Sequence, residues 1–271
     1  MVRSASVLRF AVLGAALGSL AGCGGRALWL GKLAASADGG GSETGAEVAV
    51  GDVSPDSVAT DGIPGDASPD GGSTCPPGQV SANQVLWIGD SWMLVPSRLD
   101  TRVRDLARAA GVLGPSDDYT FGAAGGSLMA AIANQYSTQE ATVTKVKVLI
   151  MDGGTWDTIQ SGGTDASVTS VVNTFTQLLT KVANDGTVEH VIYFLQPELS
   201  GIPGVAALRT PMQQACTQSK VPCHFLDLQK LWEGHADYTA ISAGIPFPSE
   251  AGAVVLAQAI WDIMQSNCIA Q

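Results

Sequence analysis

The residues in this chain best placed to do chemistry are Gly89-Asp90-Ser91, which follow directly on the apolar run Val85-Leu86-Trp87-Ile88. A short, wholly apolar run bounded by glycine reads as a strand buried on both faces of a parallel sheet. Gly89 permits a sharp turn there, and Ser91 is then presented at the carboxyl end of the strand, where open α/β sheets place their ligands. A serine hydroxyl in that position can act as a nucleophile when a neighbouring base takes its proton. The structural alternative is that Asp90 or Ser91 caps the helical turn that follows.

The bases on offer are few, because the chain has only three histidines. His190 and His224 each begin a strand and read as partly buried structural residues at the end of the sheet opposite Ser91. His235, within Gly234-His-Ala-Asp237, lies in the loop after the fifth strand and is the candidate substitute base. Asp157 is a weaker carboxylate alternative. Trp87, Trp92 and Trp156 fall near these turns and could stack on a sugar face, although a tryptophan beside a buried strand more often packs in the core.

The elements that must hold these groups alternate along the chain. Strand signals run over Val85–Ile88, Asp118–Phe121, Val146–Met151, His190–Phe194 and His224–Leu228. Helix signals run over Pro96–Ala110, with Arg98, Arg102, Arg104 and Arg108 outward, and over Leu128–Tyr136, with Ser127 at its cap. Further helices are predicted over Val168–Ala183, Val205–Ser219 and Ser249–Gln265. Such alternation predicts a doubly wound α/β fold of five parallel strands with helices on both faces.

Three glycine-rich turns at the ends of successive strands resemble the blocks of the SGNH or GDSL hydrolases, which are serine esterases, lipases and carbohydrate deacetylases. The resemblance covers about residues 84–263 and implies a three-layer, flavodoxin-like five-stranded parallel sheet. It gives Ser91 of Gly89-Asp90-Ser91 the place of the nucleophile. Gly125, in Gly122-Ala-Ala-Gly125-Gly-Ser, takes the place of a backbone donor in the oxyanion hole. The third block of that family is Gly-x-Asn-Asp; here Gly154-Thr155-Trp156-Asp157 keeps Gly and Asp but puts Trp where Asn donates. The Thr155 hydroxyl and the Trp156 indole are the substitute donors at hand. The fourth block, Asp-x-x-His, is absent: Ala243 and Pro246 occupy the acid and base positions, ahead of a matching Pro248-Ser-Glu-Ala-Gly. The implied functions are an active esterase or deacetylase, or a degenerate member that binds an ester, acyl or glycan ligand or a partner protein.

The chain of 271 residues is acidic, with a net charge of −11, so a nucleic-acid partner is excluded on electrostatic grounds. Residues 1–22 read as an export signal, with Arg3 and Arg9 ahead of an apolar run too short to span a bilayer permanently. The run ends in Leu20-Ala21-Gly22-Cys23, which resembles the lipobox of bacterial lipoproteins and makes Cys23 the lipid anchor to the cell-envelope membrane. Residues 23–82 are rich in Gly, Ser, Asp and Pro and cannot bury a core, so they read as an acidic tether spanning about 40 Å. Residues 83–271 form the expected folded domain. The other cysteines are even in number and lie in an exported chain, so disulfides are expected. Of the three possible pairings, Cys216 with Cys223 and Cys75 with Cys268 are favoured. The cysteine spacing matches no zinc-site pattern, and neither a cofactor nor a metal is expected.

Overall fold

A computed structural model describes residues 80–143, 145–198, 204–242 and 245–269. All of them fall within one unit, Ala67–Gln271. Cys23, Cys75, Ala243, the expected signal segment and residues 23–79 of the expected tether lie outside the described residues.

Five strands form one parallel sheet: β1 (Val85–Ile88), β2 (Thr120–Phe121), β3 (Val148–Met151), β4 (His190–Leu195) and β5 (Cys223–Asp227). Their order is β2-β1-β3-β4-β5 and every pairing is parallel. The chain therefore reverses direction across the sheet between β1 and β3, where doubly wound folds open their ligand crevice. All four residues of β1 and all four of β3 are buried, which is why both read as unbroken apolar runs rather than alternating ones.

Successive side chains along a strand point to opposite faces, and this sorts the core into two layers. Val85, Trp87, Val148, Ile150, Ile192 and Phe194 face α1 (Leu99–Ala109) and α7 (Glu250–Ser266). Leu86, Ile88, Leu149, Met151, Val191 and Tyr193 face α2 (Met129–Glu140), α4 (Asp165–Asp185) and α5 (Val205–Thr217). The five-stranded parallel sheet with helices on both faces is the fold expected from the alternating pattern.

Several boundaries differ from the sequence reading. The second strand shrinks to Thr120 and Phe121 because Asp117 and Asp118 are drawn to Gly114 and to Arg104 instead. Ser127 does not cap α2. The helix starts at Met129, whose N–H donates to Asp157 Oδ2 at 2.9 Å, while Ser127 Oγ donates to the carbonyl of Ala124. A carboxylate brought in from the third turn therefore does the capping that the local hydroxyl was expected to do.

Three elements had no strong sequence signal: α3 (Thr155–Ser161), α6 (Leu228–Leu231) and an antiparallel hairpin of β6 (Thr239–Ser242) and β7 (Ile245–Pro248). Strand β7 carries Pro246 and Pro248, which lack the N–H that an interior strand would need, and it sits in a two-stranded pair with no central strand.

Cys216, on α5, is bonded to Cys223, at the head of β5, as expected. The pairing closes a short loop across the turn between helix and strand. The favoured Cys75–Cys268 pairing involves a cysteine outside the described residues.

Candidate serine site

Ser91 opens a 3-10 turn, Ser91–Met93, directly after β1. Asp90 caps this turn through Oδ1, which accepts the Trp92 N–H at 2.9 Å, so the structural role weighed for Asp90 is met. Capping leaves the Ser91 side chain free to face the cleft. Its Oγ accepts a hydrogen bond from the N–H of Gly126 at 2.9 Å. Gly125 packs over the same oxygen, since a Cβ built there would lie 3.3 Å from it. Gly126 thus donates to the serine hydroxyl, while Gly125, assigned to the oxyanion hole by the second block, packs beside it.

Thr155 and Trp156 begin α3 and line the cleft together with Ser91. Gly154 makes that placement possible: it holds φ +96° at the helix start, and a Cβ there would lie 2.8 Å from Val171. The buried Thr155 Oγ1 has no hydrogen-bond partner among the described residues. An unpaired buried hydroxyl costs about 1–3 kcal/mol, a cost that a bound acceptor would remove. Trp156 projects its indole beside Gly126. Asp157 does not join the cleft; its carboxylate is committed to the amino end of α2, and burial raises its affinity for a proton.

Ile245, Pro246 and Phe247 of β7 line the same cleft as Ser91. Pro246 is buried, and its ring can neither accept nor donate a proton. With Trp156 on one side and β7 on the other, the cavity beside Ser91 is only about 10 Å³, on the scale of a single water.

All three histidines are among the described residues, and none hydrogen-bonds Ser91. His235 borders a separate open groove with Pro197, Glu198, Gln229 and Trp232. Its ring stacks on Tyr238 at 4.4 Å, and its Nδ1 lies 3.9 Å from Asp237 Oδ1. His190 and His224 sit at the amino-terminal ends of their strands, opposite the serine. Of the three tryptophans, Trp92 and Trp156 line the cleft, whereas Trp87 is wholly buried against Tyr119 in the core. Trp87 lies inside because alternation along β1 turns it toward α1 and α7, away from the strand end.

Behind Ser91 lies a cluster the sequence reading did not assemble. Asp152, one residue past β3, accepts the Asp90 N–H through Oδ1 at 2.9 Å. Gln196, one residue past β4, extends its amide toward both carboxyl groups at 3.4–3.5 Å. Asp90 and Asp152 are each buried, at 3% and 0% exposure. Desolvation raises the pKa of both, and in Asp152 the charge of Asp90 raises it further. Two adjacent carboxylates in an apolar setting cannot both ionise cheaply, so burial and mutual repulsion favour one proton held within the pair, more strongly at Asp152. The signal was present in the register: Ile88 pairs with Met151, and Met151 with Tyr193, so the polar residues just past each strand end must converge.

No family model matches the chain, and no curated protein matches it. Solved structures do. A family 3 carbohydrate esterase of Clostridium thermocellum is 14% identical, with 67% of this chain and 96% of that one covered at a TM-score of 0.51. A carbohydrate esterase family 3 protein of Talaromyces cellulolyticus is 18% identical over 66% of this chain and 95% of that one, with a TM-score of 0.53. The lipase/acylhydrolase of Enterococcus faecalis is 13% identical over 68% and 95%, also at 0.53. These likenesses show the fold, the three-layer SGNH-hydrolase-like arrangement expected from the blocks.

Proposed function

We propose that this chain is an envelope lipoprotein whose SGNH-hydrolase-like domain has lost base-assisted catalysis and uses its serine cleft to hold an ester, acyl or glycan ligand. The observation that carries this reading is a cleft lined by Ser91 and Pro246 in which no histidine of the described residues hydrogen-bonds the serine. A serine hydroxyl is a poor nucleophile without an adjacent base, and general-base assistance is worth about 10²–10⁴ in rate. The Gly126 N–H, with Thr155 Oγ1 nearby, leaves the means to hold a carbonyl or carboxyl oxygen. Binding is thereby retained where turnover is not.

The competing reading, a working esterase or deacetylase, separates cleanly by experiment. The purified chain is expected to remain unlabelled by a fluorophosphonate and to hydrolyse short acyl esters no faster than a Ser91→Ala control. Stoichiometric labelling that disappears in Ser91→Ala would overturn the degenerate reading and restore the esterase.

The anchoring part of the proposal rests on Cys23 in its lipobox-like setting. Cys23→Ser is expected to move the chain from the membrane fraction to the soluble one in a fractionated cell. Continued sedimentation with membranes would count against lipidation at this residue.

A further inference from the structure

The cleft beside Ser91 holds two hydroxyl groups that lack an acceptor. Ser91 Oγ takes the Gly126 N–H at 2.9 Å, which leaves its own proton without an acceptor among the described residues. Thr155, 2% exposed, lines the same cleft, and its Oγ1 has no partner of either kind among those residues. Buried hydroxyls are seldom left unpaired in a folded protein, so an acceptor supplied from outside is the physical expectation. The enclosed space is about 10 Å³, on the scale of one water and hence of one ligand oxygen.

The surrounding charges decide what kind of oxygen it takes. Asp90 and Gln196 line the cleft, and Asp152 stands beside Asp90, its Oδ1 accepting the Asp90 N–H at 2.9 Å. One proton held within that pair still leaves it a negative charge. Asp157 is close enough for the charge of Asp90 to raise its affinity for a proton. Among the described residues, no Lys, Arg or His lines the cleft. Arg209, whose charge is felt at Tyr193 of β4, is bonded to Asp227 at 2.5 Å. The donors here are therefore neutral, and the one ionisable side chain in the lining is an acid. A carboxylate entering this space meets a buried negative charge and no positive one. An uncharged carbonyl escapes that repulsion and still accepts both hydroxyl protons.

We propose that the cleft receives the oxygen of one uncharged acyl carbonyl, ester or amide, on the Ser91 and Thr155 hydroxyls, and that the Asp90–Asp152 pair turns away the free carboxylate. This rests on the ligand-holding cleft proposed above and adds a selection to it: the chain distinguishes an intact acyl group from the acid that hydrolysis would leave. Thr155 is a binding residue in this arrangement, its unpaired hydroxyl a cost to the free chain that the ligand removes.

The test uses the full chain and two probes that differ in charge but hardly in shape, butyramide and butyrate, near pH 7, where the second is ionised. Shifts of the Trp92 and Trp156 indole N–H signals in nuclear magnetic resonance read occupancy beside Ser91. Butyramide is expected to bind at least about tenfold more tightly than butyrate. Thr155→Val should weaken butyramide by about fivefold through loss of one hydrogen bond, yet raise the Tm of the free chain by about 2–4 °C, because the unpaired hydroxyl is gone. That rise also shows that the variant folds. Asp90→Asn combined with Asp152→Asn should narrow the preference between the probes to about threefold or less. Butyrate binding as tightly as butyramide, no binding of either, a Thr155→Val chain that binds butyramide unchanged, or a preference undiminished in the double variant would overturn the proposal. Labelling of Ser91 by a fluorophosphonate is a separate readout: it removes the degenerate reading and leaves the preference between the probes standing.

Discussion

Gly89→Ala is expected to be among the most damaging single substitutions in the domain, costing about 3–5 kcal/mol of stability from combined strain and overpacking. Gly89 holds φ +150°, a conformation that side chains resist, and a Cβ there would fall 1.8 Å from Asp152 Oδ1 and 3.0 Å from Met93 Cγ. The carboxyl cannot simply swing aside, because the same Oδ1 accepts the Asp90 N–H. Nor can the backbone easily shift, since the Gly89 N–H donates to Gln135 Oε1 at 2.8 Å and its carbonyl accepts from Gln135 Nε2 at 3.0 Å. Gly111 provides the control: it too has positive φ, +74°, but a Cβ there meets nothing within 4 Å. Gly111→Ala should therefore cost only the backbone term of about 1–2 kcal/mol. Urea unfolding reads both values. Equal losses in the two variants would show that Asp152 does not press on Gly89.

Asp152→Asn is expected to do the reverse and stabilise the protein, by about 1–3 kcal/mol near pH 8, the range seen for buried hydrogen-bonded groups. Asn keeps the acceptor for the Asp90 N–H and sets an amide donor beside the Asp90 carboxylate with no cost for holding a proton, giving up only the long 3.4 Å contact from Gln196 Nε2 to Oδ2. The sign follows from linkage. The Asp152 pKa in the folded state lies well above its ordinary value of 3.8. Below that value, folded and unfolded chains both hold the proton and no penalty arises. As pH rises past it, the unfolded chain releases the proton while the folded one retains it, so wild-type stability falls until the folded group also ionises. The advantage of Asn should therefore be small near pH 4 and grow toward pH 8. Carboxylates away from this cluster are common to both proteins and cancel in the difference, leaving the coupled titration of Asp90 and Asp152. A difference that stays flat with pH would mean that Asp152 is ionised in the folded state. Asp152→Ala, by contrast, strips the Asp90 N–H of its partner and should destabilise at every pH.

The sheet was legible because its strands are buried on both faces. Val85–Ile88 and Val148–Met151 had to be apolar throughout, and both are bounded by polar residues or glycine. Helix α4 was legible for a related reason: Val171, Phe175, Leu178 and Val182 recur at helical spacing. The β6–β7 hairpin was not, because prolines at 246 and 248 oppose a strand in any sheet interior and only a two-stranded pair tolerates them. The placement of Ser91 at the cleft was legible in local sequence, since Ser91 is set by its own turn after β1. What surrounds it was not local. Gln196 reaches the site through strand register, and Asp157 serves α2 rather than the cleft because a distant helix end has an unsatisfied N–H. The two strand histidines were placed at the correct end of the sheet, yet their contact with each other depends on a diagonal pairing that no single segment encodes.

Packing of Trp156 and Phe247 around Ser91 has a kinetic corollary. The enclosed space beside the hydroxyl is about 10 Å³, on the scale of a single water. A ligand that buries a carbonyl with its substituents there does so in conformers where one of these rings has moved. Its apparent dissociation constant is then the intrinsic one divided by the population of those conformers. Binding rates should accordingly level off with rising ligand concentration at the frequency with which the aromatic wall opens.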